Sequence, residues 1–111
     1  MSKRDINILL EDIAEAVKKI TAYTSGMSYA DFTTDDKTID AVVRNFEIIG
    51  EAAKRIPEDY KIQHPEIEWR QIIGLRNRVI HEYFGIDYEI LWHIIENNLS
   101  ELQERVSHLL Q

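Results

Sequence analysis

Three observations predict an all-α fold, an antiparallel helical bundle of four long helices plus a short helical turn. Apolar residues recur at intervals of three and four through successive stretches of the chain, which marks helices that each bury one face. No stretch alternates apolar and polar residues long enough to read as a strand, and there are no internal repeats or low-complexity tracts. At 111 residues the chain has the size of one compact unit with its own core, so residues 1–111 are read as a single helical domain.

The first helix runs from Met1 to about Thr24, with Ile6, Leu9, Leu10, Ile13, Val17 and Ile20 on one stripe and Ser2 and Asp5 spaced as a capping box ahead of them. Ser25, Gly26, Met27 and Ser28 break it, and a connecting loop carrying Tyr29 and Phe32 leads to the N-cap candidates Thr33 to Asp36. The second long helix spans about Asp36 to Ile56, where Ile39, Val42, Val43, Phe46, Ile49, Ala53 and Ile56 form a near-heptad seam. Its flank carries Arg44, Glu47, Glu51 and Lys54, spaced either to pair along the helix or to send one glutamate across to the next. Pro57 suits the first position of a short helical turn through Ile62, which Pro65 closes. The third helix begins between Glu66 and Trp69 and ends around Tyr83 to Gly85. Asp87 then caps a fourth, from about Tyr88 to Leu110, with Ile86 and Leu91 spaced as a hydrophobic staple.

With 44% apolar and 30% charged residues, the composition is that of a soluble globular domain. The absence of cysteine removes disulfides and thiolate metal sites and suits a reducing compartment. No signal-peptide core and no run of about 18 apolar residues is present, so a cytoplasmic location without a membrane partner is expected. The formal charge of −7 argues against a general polyanion binder. Any RNA site must therefore be local, and the cluster of Arg70, Arg76 and Arg78 is where one could form. Phosphate loops, zinc motifs and nucleophile elbows have no counterpart, and neither a cofactor nor a metal is expected.

The third helix holds the unusual residues. On a helical wheel Trp69, Ile72, Ile73, Arg76, Ile80 and Tyr83 share one stripe, which aligns an arginine with the core face. A buried guanidinium needs a carboxylate, for which Glu47 and Glu51 are the candidates, or a cleft where an anion binds. A second stripe of Arg70, Gly74, Asn77 and His81 lies beside it. Gly74 leaves room for a close approach by a partner helix or a ligand. Asn77 and His81, four apart, can hydrogen-bond and fix the imidazole tautomer. Arg76 and His81 diverge by about 140° on an ideal helix, so a site using both needs a distorted helix end or a second subunit.

Arg76, His81 and Tyr83, with Asn77 after the arginine, resemble the hallmark of the HEPN domains, and within them of the HepT-like toxins. The run from Arg44 to Ala52, Trp69 ahead of Gly74 to Asn77, and Tyr83 to Asp87 are similar to the same family, so the resemblance covers nearly the whole chain. It implies a homodimeric helical bundle with paired motif helices, and a metal-independent endoribonuclease used as a toxin. His81 would act as general base or acid on a ribose 2′-hydroxyl, Arg76 would stabilise charge on the phosphate, and Asn77 would orient the histidine or the phosphate. Arg70, Arg78 and Gly74 would support RNA binding. The resemblance further implies a cognate nucleotidyltransferase antitoxin that transfers AMP onto Tyr83. The alternative is a non-catalytic module that partners the nucleotidyltransferase, with Arg76 and Tyr83 as recognition elements.

Overall fold

The computed structural model describes residues 1–81 and 87–110, with the backbone alone for 79–81. The described residues are helical and contain no strand, as the periodicity predicts. In chain order the helices are α1 (Lys3–Thr24), α2 (Tyr29–Thr33), α3 (Asp36–Arg55), α4 (Glu58–Gln63), α5 (Trp69–His81), α6 (Tyr88–Asn97) and α7 (Leu99–Leu109).

α1 starts at the expected capping box, where the Ser2 hydroxyl accepts the Asp5 N–H at 3.1 Å and the Asp5 carboxylate accepts the Ser2 N–H at 3.3 Å. Its stripe of Leu10, Ile13, Val17 and Ile20 is fully buried. It packs along α3, where Val42, Phe46, Ile49 and Ala53 are buried. Each such side chain taken from water contributes about 1.5–3 kcal/mol. α5 lies along the same α3, while α7 packs on α1 through a buried Val106. α3 is thus the central element, shared between the core and the helix that carries the unusual residues.

Two segments depart from the sequence expectation. The connecting loop contains α2, which has its own capping box between Ser28 and Asp31 at 3.0 and 3.1 Å. Phe32 anchors it, fully buried and 5.2 Å from the Trp92 ring of α6. The turn before it passes through Gly26 at φ 77°, a left-handed conformation that glycine adopts without strain. The long fourth helix is divided at Asn98, which sits at φ −115° and ψ −27° between α6 and α7. Two successive asparagines favour this break, because Asn side chains compete for backbone groups. The Asn97 amide donates to the His93 carbonyl at 2.9 Å. Pro57 stands one residue earlier than expected, as the N-cap of α4, which Glu58 begins. The end of the third helix near Tyr83 to Gly85 and the staple residue Ile86 lie outside the described residues.

Candidate active site

α5 enters the bundle at a pinned end. Trp69 is buried and its indole N–H donates to the His64 carbonyl at 2.9 Å, with Ile67 buried beside it. From α7, the Arg105 guanidinium donates to the Glu66 carbonyl and pairs with Glu101, tying the same loop down from the other side. Ile72, Ile73 and Leu75 are half-buried against the core, and Arg70, Asn77 and Arg78 are exposed. In a chain of formal charge −7, this helix holds three arginines and no acidic residue, so its field is locally positive.

Arg76 is the most enclosed of the three cations, with its side chain 16% exposed. Nη2 contacts the Glu51 carboxylate of α3, and Nη1 donates to Asn77 Oδ1 at 2.9 Å. Glu51 takes the arginine from across the helix pair, whereas Glu47 lies 3.7 Å from Arg44 on its own helix. The Glu51 carboxylate is 48% exposed, so solvent screens the pair and it adds little to the stability of the fold. Nε is enclosed and has no hydrogen-bond partner among the described residues. An orphaned donor of this kind costs about 1–3 kcal/mol. The arginine is therefore held by its surroundings in a place that packing alone would not select.

The two glycines near it behave differently. A methyl group at Gly74 would meet nothing within 4 Å, so the close approach considered for that position is not made by this chain's described residues. The close approach is at Gly50 of α3, where a methyl would overlap Cβ and Cγ of Arg76 and come within 3.3 Å of its Cα. Sequence reasoning did not single out Gly50 as a site residue. The available signal was a glycine inside the apolar seam of a long helix, a position where it costs roughly 1 kcal/mol relative to alanine.

His81 closes α5. Its side chain, its pairing with Asn77 and the placement of Tyr83 lie outside the described residues. Asn77, expected to hold the histidine, gives its side-chain carbonyl to Arg76.

Residues 13–109 match the family described as ribonuclease HepT-like. The chain belongs to that family. It is similar to a candidate RNase of Methanocaldococcus jannaschii, at 40% identity over 113 residues, covering 98% of this chain and 93% of that one. The protein named probable ribonuclease HepT from Thermococcus cleftensis is 44% identical over 107 residues, covering 96% and 97% of the two chains. A candidate RNase of Caldanaerobacter subterraneus subsp. tengcongensis is 38% identical over 102 residues, covering 92% and 91%. No solved structure matches the chain significantly.

The HepT-like match takes in α3 and α5 entire, and so both the arginine and the helix it rests on. On the flank of α5 that carries Ile72 and Leu75, this HepT-like chain opens an apolar pocket of about 170 Å³. Phe46 and Ile49 of α3, Ile94 of α6 and Leu102 of α7 are among its apolar lining, Glu68, Glu101 and Arg105 among its polar lining, and Arg76 is not part of it. Among the described residues no helix is long and apolar enough to cross a membrane.

Proposed function

We propose that this chain is the toxin of a toxin–antitoxin pair, a metal-independent endoribonuclease that cuts RNA in the cytoplasm through Arg76 and His81 at the cleft of a homodimer. The observation that carries the reading is the state of Arg76 in a chain of a ribonuclease family. A guanidinium has five N–H donors. Nε is enclosed, and Glu51 and Asn77 occupy one donor on each Nη atom, so each Nη keeps a second N–H for a phosphate. The exposed Arg70 and Arg78 on the same helix are suited to neighbouring backbone phosphates, and Gly74 leaves space for the strand beside them.

In this reading His81 withdraws the proton from a ribose 2′-hydroxyl, whose oxygen attacks the adjacent phosphorus while the P–O5′ bond breaks, leaving a 2′,3′-cyclic phosphate and a 5′-oxygen that takes up a proton, and Arg76 meets the negative charge that grows on the phosphate oxygens. Asn77 keeps the arginine fork in line. A partner nucleotidyltransferase silences the enzyme by transferring AMP from ATP onto the Tyr83 phenol oxygen with release of pyrophosphate, which adds negative charge and repels RNA.

The test is to incubate the purified parent, Arg76→Ala and His81→Ala with cellular RNA in the presence of a chelator. The parent is expected to fragment the RNA and both variants to leave it intact. Equal cutting by all three removes the catalytic assignment. RNA left intact by all three, parent included, favours a non-catalytic module that serves the nucleotidyltransferase. Incubation with that partner and ATP is expected to add the mass of one AMP, and the addition is lost in Tyr83→Phe.

A further inference from the structure

We infer that Gly50 is a positioning residue for the cleavage reaction: it is the seat that sets how deeply Arg76 stands against α3, and therefore where the guanidinium is presented. The inference rests on the assignment of Arg76 to the phosphate made above.

Three observations converge on the seat. The Arg76 stem lies directly on the Gly50 backbone, in space that any other residue would fill with its own Cβ. The atoms met there are the Cβ, Cγ and Cα of Arg76, the rigid base of the side chain rather than its flexible end, so rotation of the arginine cannot relieve an added methyl. The neighbouring residue on α3, Glu51, supplies the carboxylate that takes Nη2, so backbone contact and fork contact come from the same turn. Enclosure of Nε against this seat removes the side-on mode of phosphate binding. The outward end of the fork remains, and its position depends on the depth of the stem.

α5 rather than α3 must absorb any change at this contact. α3 is buried between α1 and α5, whereas α5 packs along α3 and on the flank of Ile72 and Leu75 borders the apolar pocket. A methyl at Gly50 therefore pushes α5 outward and carries Arg76 with it, while α3 itself, with alanine the better helix former, stays helical. A misplacement of about 1 Å in a catalytic group can lower turnover about 100-fold.

The test compares the parent with Gly50→Ala, Glu51→Ala and Arg76→Ala in steady-state cleavage of a short single-stranded RNA, below the melting temperature of each. Gly50→Ala is expected to retain its helical circular dichroism and to lose about 100-fold in kcat, with KM changed by less than about threefold. Loss of fold alone would not give that split. A folded Gly50→Ala with parental kcat, alongside an inactive Arg76→Ala, overturns the seat and leaves the role of Arg76 standing. An active Arg76→Ala overturns the parent assignment instead. Glu51→Ala keeps the seat and removes the ion pair, so it is expected to stay at least about tenfold above Arg76→Ala. Should it fall to that level, the carboxylate places the arginine and the inference fails, whether or not Gly50→Ala folds.

Discussion

At Arg76 the geometry of a single functional group decides what a substitution costs. Its planar fork reaches Glu51 with one Nη and Asn77 with the other, at 2.9 Å for the latter, and each Nη has a second N–H besides. An ammonium keeps the charge, but it is a point donor that cannot span two acceptors and present a pair of parallel N–H groups. Arg76→Lys is therefore expected to melt within a few degrees of the parent and to lose about 100-fold in RNA cleavage, the scale seen when one donor to a developing oxyanion is removed. Initial rates on a fluorescent RNA check this. Parental rates would mean that charge alone suffices at this position and that the fork geometry is incidental.

The helices differ in how much of each was legible in the sequence, for reasons that lie in particular residues. α1 and α3 announce themselves through long apolar stripes and caps, and their bounds agree closely with expectation. α2 carries the same Ser-x-x-Asp signal at Ser28 and Asp31 that marks α1 at Ser2 and Asp5. It was not anticipated because its five residues are too few to show a period, and the burial of Phe32 against Trp92 is a tertiary contact. The break at Asn98 has a local cause, yet two asparagines in an otherwise periodic stretch do not by themselves outvote the stripe. On α5 the wheel sets an arginine on the core face and leaves its partner open between Glu47, Glu51 and an anion in a cleft; the contact is with Glu51. The Gly50 seat was hidden because it depends on the distance between two helices. At the start of α3, among several possible caps, the carboxylate of Asp35 accepts the Thr38 N–H at 3.0 Å. That hydrogen bond holds its pKa below the ordinary 3.8. Because the folded-state pKa is the lower one, the contribution of Asp35 to stability is fully present above its unfolded value and is lost as pH falls through the folded value. Asp35→Ala should thus melt below the parent at neutral pH, with the gap narrowing as the pH is taken below 3.8. Asp35→Asn, which keeps a neutral cap, should melt between Asp35→Ala and the parent at neutral pH. Melting curves at neutral and acid pH check this, and a gap that stays the same in acid would show that the cap charge contributes nothing.

For the molecule as a whole, the question is whether one chain can assemble the site. Arg76 and His81 are five residues apart, which on a regular helix separates them by about 140°, and α5 is helical through both positions. On that geometry a single regular helix would turn residues 76 and 81 to different sides. A second copy related by a two-fold axis can bring the arginine of one α5 to the histidine of the other, and each dimer then carries two equivalent sites. This arrangement makes a prediction that no single-chain site shares. Arg76→Ala and His81→Ala, each expected to be inactive alone, are mixed in equal amounts under conditions that exchange subunits. Half of the dimers become mixed, and in each of these one site pairs an intact arginine with an intact histidine while the other has lost both. Cleavage should return to roughly a quarter of the parental rate. A site built within one chain gives no recovery, since every chain in the mixture lacks one of the two groups. Light scattering on the same samples separates the remaining case: dimers that exchange without recovery would put both groups in one protomer, whereas monomers would remove the interface itself.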